Sequence, residues 1–423
     1  MKKYFLLLII IILTSCSPFT KVSEDDFINQ TNKNNTNPVL SFPITSNPSS
    51  NSDIANSIFL ESDFIYIAGN ESGTGNRGWR IEKRYKSNGK LVSSFGTNGF
   101  INSNPSDNED TPTNLLIDED YIYIAGCDET PGNEQWRIEK RDKNSGLLDN
   151  NFGNNGVIQI NTIDQSGYSD FVCSMIIDSS YLYLVGPYNL RIEKRDKVTG
   201  NLISSFGNNG VIIVSNAIAN SITTDTNYIY TAGYDFNNGN DDMQWRIEKR
   251  DKITGQLINN FGTNGIINYN LINRQESANS IINDSNYIYI SGEDTKPNNQ
   301  QWRIEKRDKT TGQLINNFGT NGVLEINPTE EEDYITSIIL NYNFLYLIGV
   351  TNSDIDENWR IEKRNATTGD LIEDFGDNGV IIINPSFSRD GAKDIAIDSN
   401  YIYVAGYDDC NFNYQWRIER FIN

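Results

Sequence analysis

The sequence contains no histidine, which removes the commonest general base and a frequent metal ligand. It has no Gly-x-Ser-x-Gly elbow, no Gly-x-x-x-x-Gly-Lys phosphate loop and no Cys-x-x-Cys pair, so serine-hydrolase, nucleotide-binding and thiol-redox chemistry have no motif to stand on. Basic residues are few: 35 Lys and Arg face 56 Asp and Glu, a net charge of −21. A surface that acidic repels phosphate backbones, so nucleic acid and anionic lipid faces are excluded as partners. No stretch reaches the roughly 18 apolar residues needed to cross a bilayer, and no segment sustains a helical period.

Cysteine is scarce too, at four. Cys127, Cys173 and Cys410 fall at non-equivalent places without metal-type spacing, and an odd set in an exported chain cannot all pair internally. They read as free thiols. The fourth, Cys16, closes a segment with Lys2 and Lys3 as a positive start, Phe5 to Leu13 as a short apolar core, and Leu13-Thr14-Ser15-Cys16 at its end. This resembles the bacterial lipoprotein signal. The resemblance implies cleavage before Cys16, residues 1–15 as signal peptide, a lipid on the Cys16 sulfur, and, with Ser17 following, delivery to the outer membrane. The plainer alternative is a secretory signal with an incidental cysteine. Loss of residues 1–15, with Lys2 and Lys3, would take the charge from −21 to −23. Residues 16–38 are polar with few apolar positions, the composition of a disordered tether, with a reach of roughly 26 Å.

What the chain has in abundance is one phrase. Trp-Arg-Ile-Glu-Lys-Arg starts at Trp79, Trp136, Trp245, Trp302 and Trp359; Leu190–Arg195 lacks the Trp, and Trp416 begins a worn last copy. Steps of 57, 54, 55, 57, 57 and 57 residues mark seven copies of one supersecondary unit. The repeat runs unbroken from about residue 39 to 422, so residues 39–423 are read as one domain. In the best-formed copy Ser280–Ile282 (A), Tyr287–Ile290 (B), Trp302–Asp308 (C) and Val323–Asn327 (D) show alternation and β-branched or aromatic enrichment, punctuated by Asn-Gly and Thr-Gly. Four short antiparallel strands repeated seven times predict an all-β, seven-bladed β-propeller.

Only six Phe-Gly-x-Asn-Gly connectors with a following strand D accompany the seven A-B-C sets. An ungapped alignment of the segments before Gly69 and Gly406 places Pro43-Ile44-Thr45-Ser46-Asn47-Pro48 on Val380-Ile381-Ile382-Ile383-Asn384-Pro385. The N-terminus is therefore expected to supply the seventh blade's fourth strand, closing the ring and hiding its edges.

The run Gly146-Leu147-Leu148-Asp149-Asn150-Asn151-Phe152-Gly153-Asn154-Asn155-Gly156 resembles the bacterial delta-sixty repeat, Gly-x-Leu-Asp-x-x-Phe-Gly-x-x-Gly. The resemblance implies a propeller and brings no catalytic residues. A looser likeness, in architecture and anchor alone, is to the propeller lipoproteins that help assemble outer-membrane proteins.

Candidate chemistry is sparse. Arg303, Glu305 and Arg307 share one side of strand C; they read as an interblade ion-pair ladder rather than a ligand ring. The Trp residues at 79, 136, 245, 302, 359 and 416 read as interblade packing rather than a sugar platform. Acidic loops between B and C (Asp128-Glu129, Asp235 with Asp241-Asp242, Glu293-Asp294, Asp354 with Asp356, Asp408-Asp409) suit hard cations; without an ordered calcium-loop spacing they read as solvated, with loosely bound Ca²⁺ the most they imply and no other cofactor expected. No carboxylate stands out as departing from the repeat in an apolar setting.

Loop lengths locate the functional face. Trp to the Phe of Phe-Gly is 16 residues in all six complete copies. Strand B to the Trp position is 15 in five copies but 9 from Tyr181 to Leu190 and 17 from Tyr228 to Trp245; Phe-Gly to the next strand B is 26 in four copies but 29 from Phe152 and 22 from Phe206. All the variation falls on the face bearing the B–C and D–A connections, and loops that vary over a rigid scaffold are where binding resides. The shortenings at Pro187–Asn189 and Ser215–Ala219 beside the long loop Asp235–Gln244 predict a notch between blades three and four, with Tyr188, Asn189, Asp235, Asp241 and Asp242 as candidate binding residues; repeat decay without consequence is the alternative. The expected function is that of a monomeric, non-catalytic binding or scaffold module of the bacterial cell envelope, anchored by lipid alone and presenting this face to a protein or glycan. A carboxylate-only hydrolase of an envelope polysaccharide is the alternative.

Overall fold

The computed structural model describes residues 42–423 other than 74–75, 131, 162–169, 188, 237–242, 271–275, 297–298, 354–355, 387 and 411. The described residues form seven four-stranded antiparallel sheets and no helix. Strand A of each blade touches strand A of the next all the way around the ring, so A is innermost and D outermost: a seven-bladed β-propeller. In blade five the strands are Ser277–Asn283, Tyr287–Lys296, Asn299–Asp308 and Val323–Ile326. The stretch expected as a polar B–C loop is thus mostly paired hairpin, with Lys296 opposite Asn299. Strand A is also longer than expected and carries a bulge between Ala278 and Ser280, repeated in every blade but the third.

The N-terminal strand closes the ring. Ile44–Ser46 pairs antiparallel with strand C of blade seven, Ile44 opposite Ile418 and Ser46 opposite Trp416. Ile381 lies opposite Ile361 in blade six, 57 residues before Ile418, so the register is the one the ungapped alignment predicts. Ile44 is buried in a cluster with Ala55, Ile58, Trp416 and Ile418.

Three repeated devices hold blade to blade. All six tryptophans are fully buried, and the indole N–H of Trp245 donates to Glu293 O of the next blade at 2.9 Å, as Trp416 does to Asn70 O at 3.0 Å across the closure. The glycine within strand B leaves room for both its own strand A and this ring: a Cβ on Gly292 would stand 2.1 Å from Ser277 O and 2.8 Å from Trp245 Cζ2. On the opposite face the lysine following strand C pairs with the A–B turn carboxylate of the preceding blade, as in Lys309–Asp225 at 3.2 Å, Lys252–Asp178 at 3.0 Å and, across the closure, Lys86–Asp398 at 3.0 Å. The Phe-Gly-x-Asn-Gly connector is the third. Gly319 N donates to Thr368 O of the next blade at 2.8 Å, while Gly319, Asn321 and Gly322 take φ of 53°, 54° and 92°, values that favour Gly and Asn. That explains a C–D connection of invariant length.

The Arg-x-Glu-x-Arg ladder runs along strand C within one blade, which corrects the interblade expectation. Glu305, 0% exposed, accepts from Arg303 Nη2 at 2.6 Å and from Arg307 Nε at 2.6 Å, and Arg307 Nη1 continues to Gly312 O at 2.7 Å. Side chains two apart on a strand share a face, so one carboxylate bridges two guanidiniums. Glu139 and Glu419 show why two are needed. Burial pushes both carboxyls up; at Glu139 the pair Arg141 and Arg137 outweighs it and the pKa is lowered, whereas Glu419 has only Arg417, Phe421 standing where the second arginine would be, and its pKa is raised.

Cys127 and Cys173 are free thiols, as expected. Cys410 is not: it is disulfide-bonded.

Candidate functional site

The face carrying the B–C and D–A connections is organised by a motif the sequence reading passed over. Asn-Pro-Ser/Thr-x-x-x-Asp occurs at Asn47–Asp53, Asn104–Asp110, Asn327–Asp333 and Asn384–Asp390, leading into blades one, two, six and seven, which are contiguous across the closure. Each aspartate is fully buried. Asp110 accepts from Ser106 N at 3.1 Å and Oγ at 2.7 Å and from Glu129 N at 3.0 Å; Asp390 accepts from Ser386 N at 3.0 Å and Oγ at 2.7 Å and from Asp409 N at 3.1 Å. One carboxylate therefore pins the D–A loop to the end of strand B. Burial outweighs these bonds and raises all three of Asp110, Asp333 and Asp390, the last to about 6.

Four of the acidic B–C residues are not solvated. Asp128 is buried against Arg137 at 3.1 Å and Gln135 at 2.6 Å, Asp235 against Arg246 at 2.7 Å and Gln244 at 2.6 Å, Asp294 against Gln301 at 2.6 Å, and Asp408 against Arg417 at 2.9 Å. They cap the strand C ladder, each neutralised by its first arginine. Among the described residues no group of three or more His, Cys, Asp or Glu is arranged to hold a metal. Asp235 is thus placed in an internal ion pair. Asn189 is exposed, at φ 61°, and its Oδ1 accepts from Asn216 N at 3.3 Å, while Asn216 O accepts from Phe236 N at 3.1 Å. Asn216 so joins Asn189 to the blade-four hairpin. Tyr188, Asp241 and Asp242 lie outside the described residues, as does Cys16.

Departures from the repeat gather instead near the axis over blades five to seven. Most blades place Asn or Thr at the strand A bulge, reaching the next blade's strand A: Asn56 Nδ2 to Pro112 O at 2.9 Å, Asn279 Nδ2 to Ile335 O at 3.1 Å, Thr336 Oγ1 to Ala392 O at 3.0 Å. Blade seven has Lys393, exposed, with Nζ 5.6 Å from the Tyr407 ring centre. Asp394 follows where the other blades have Ser or Asn, and accepts from Ile58 N at 2.9 Å and Ser57 Oγ at 3.0 Å of blade one; burial prevails and raises it to about 6. In blade five Glu293, 8% exposed, stands where neighbours carry Tyr234 and Val350, and accepts from Asn279 Nδ2 at 3.0 Å. Burial, reinforced by Glu332, raises it to about 7. These carboxyls do depart from the repeat in settings that raise their pKa, contrary to the sequence reading, because only the fold shows which loop positions are covered.

The raised groups carry a pH signature. Their folded forms hold a proton more tightly than unfolded carboxyls, which titrate near 4, so their contribution to stability falls as pH rises from about 4 to about 7. At the A–B turns burial is outweighed by backbone amides and lysine, and Asp118, Asp178, Asp225 and Asp398 are lowered; their contribution is lost as pH falls below about 4. The melting temperature is expected to peak near pH 5 and decline toward 7.5. Glu293→Gln should flatten that decline; an unchanged slope would show that Glu293 does not titrate there.

No protein-family model matches the chain, and no curated protein is significantly similar to it. Solved propellers are similar at low identity. The β-propeller domain of the Trilobed protease from Pyrococcus furiosus has a TM-score of 0.47 at 11% identity, over 91% of this chain and 96% of that one. Chaetomium thermophilum Sqt1, bound to the N-terminus of ribosomal protein L10, has a TM-score of 0.47 at 10%, over 89% and 86%, and the polysaccharide lyase Uly1 has 0.46 at 10%, over 87% and 90%. At this distance the likeness is one of architecture.

Proposed function

We propose that the protein is a lipid-anchored propeller of the bacterial cell envelope, its repeat of delta-sixty type, that binds a protein or glycan on its B–C and D–A face without turning it over. The observation behind this reading is the fate of the repeated carboxylates. Glu305 on strand C, and Asp235 and Asp408 at the base of the B–C hairpins, are neutralised by arginines inside their own blades, leaving them neither free to move protons nor open to a substrate. The same rigidity suits a frame whose loops differ from blade to blade.

The anchor is tested at the sulfur of Cys16, since a thioether to lipid leaves that sulfur unable to pair with the disulfide-bonded Cys410. The mature chain should partition into detergent and yield an N-terminal peptide with diacylglyceryl on Cys16, and Cys16→Ala should be soluble. Recovery of Cys16 unmodified or in a disulfide contradicts the anchor.

One observation favours the alternative. Glu293, raised to about 7, has the character of a general acid. If the protein is a hydrolase using it, envelope polysaccharide incubated with the soluble domain releases reducing ends and Glu293→Gln abolishes the release; binding without release under both conditions supports the non-catalytic reading.

A further inference from the structure

Blade seven is rebuilt at the seam where the ring closes. Asp53 N, from the segment behind the closing strand, donates to Tyr414 O at 2.8 Å, and Tyr414 N donates to Ser52 Oγ at 3.4 Å. Tyr414 packs against Tyr407 with ring centres 4.7 Å apart and planes tilted by 45°. Tyr407 in turn lies against bare backbone: a Cβ on Gly391 would stand 2.4 Å from its Cε1, whereas the equivalent positions in blades five and six carry Ser277 and Tyr334. The result is an open depression of roughly 400 Å³ lined by Ser52, Ser388, Arg389, Asp409, Phe412 and Tyr414.

Three of these side chains have no structural task that explains them. Asp409 is 7% exposed, yet among the described residues no group donates to its Oδ1, and an unpaired buried acceptor costs stability unless something donates to it. Phe412 is 96% exposed at the tip of the hairpin and sits at φ 61°, a conformation that bulky residues rarely take. Arg389 leaves 70% of its side chain in water, its nearest carboxylate oxygen, Glu357 Oε1, being 3.9 Å away.

We propose that this depression binds a neutral sugar unit of a glycan, with Asp409 accepting from sugar hydroxyls, Arg389 and the two serines hydrogen-bonding its oxygens, and the Phe412 ring covering its apolar C–H face. The pairing of functional groups selects the class. A cationic ligand would meet the Arg389 guanidinium, and an anionic one the Asp409 carboxylate within a chain of net charge −21. A hydroxyl-rich neutral ligand satisfies an acceptor, a donor fork and an aromatic face together. The proposal rests on the B–C and D–A face being the binding face and names its ligand there.

The test is calorimetric titration of the soluble domain, residues 39–423, with cellohexaose, maltohexaose, laminarihexaose and mannohexaose, and with heparin and an oligo-lysine peptide as charged arms. At least one neutral hexasaccharide should bind. Asp409→Asn should weaken it about tenfold or more, the scale of one charge-assisted hydrogen bond, Phe412→Ala should weaken it about tenfold, the scale of one lost aromatic contact, and Phe412→Ala should melt like wild type because its ring touches solvent. Binding of none of the neutral probes, binding unchanged by both substitutions, or binding of a charged arm in their place overturns the proposal. If the domain still engages an envelope partner on this face in that case, the broader reading stands and only the sugar assignment fails.

Discussion

Replacing Glu305 with leucine should destabilise the propeller by about 3–5 kcal/mol, the cost of leaving buried charge without its partner. Arg307 would keep only Gly312 O, while Arg303 would keep Asp294 Oδ2 at 3.4 Å and Glu325 Oε1 at 3.3 Å. Removing Arg307 as well should cost less than the sum of the two single changes, with a coupling of about 1–3 kcal/mol, because neither charge is then stranded. Glu419→Leu should cost less than Glu305→Leu, since blade seven has a single arginine there and its carboxyl is already raised. Denaturant midpoints of these four variants and of the wild type decide this; equal costs at Glu305 and Glu419 would mean that the second arginine adds nothing.

The ladder was partly legible in the sequence. Alternation along Trp-Arg-Ile-Glu-Lys-Arg places the two arginines and the glutamate on one side and requires them to be paired. Whether they pair within a blade or between blades depends on how far apart the sheets stand, which spacing along one strand does not encode. The true interblade charges, Lys309 with Asp225 and its equivalents, sit in turns where sequence separation carries no direction.

Deleting residues 42–47 is expected to have the second large effect. It removes the pairing of Ile44–Ser46 with Trp416–Ile418 and the burial of Ile44, about 2–5 kcal/mol for the isoleucine alone, and leaves strand C of blade seven as an open edge. The melting temperature should fall by roughly 5 °C or more, with concentration-dependent association on sizing columns. Phe42 would be lost with it, its ring 4.2 Å from Arg420 Cζ and 5.9 Å from the Tyr403 ring. Deleting 20–36 should do neither, and identical behaviour of the two truncations contradicts closure by the N-terminal strand.

Closure was legible because it is a counting problem: six connectors for seven blades, and an ungapped match to Val380–Pro385. The loop face was less so. Asn-Pro-Ser/Thr-x-x-x-Asp recurs four times, but its meaning, a buried aspartate gathering amides from two loops, is visible only when Asp110 and Glu129 are seen side by side. The B–C acids look solvated in sequence because polar loops usually are, whereas arginines near the start of strand C draw Asp128, Asp235 and Asp408 into the blade. Glu293 is one substitution in a variable column, and its covered setting comes from Asn279 and from Glu332 of the next blade. The blade-seven depression had no sequence signal beyond Gly391, whose missing side chain makes room for Tyr407.

The claim that the B–C and D–A face is the binding face has a rival in the apolar side chains exposed on the opposite face, Leu147, Val198, Ile253 and Tyr342, and hydrogen exchange separates the two. The soluble domain is captured with its partner from envelope extract of the native host, and amide protection is compared with that of the free domain. Protection over residues 104–110, 327–333, 384–390 and 407–414 is the predicted result. Protection confined to the turns at 143–147, 197–200, 252–255 and 341–343 would contradict it.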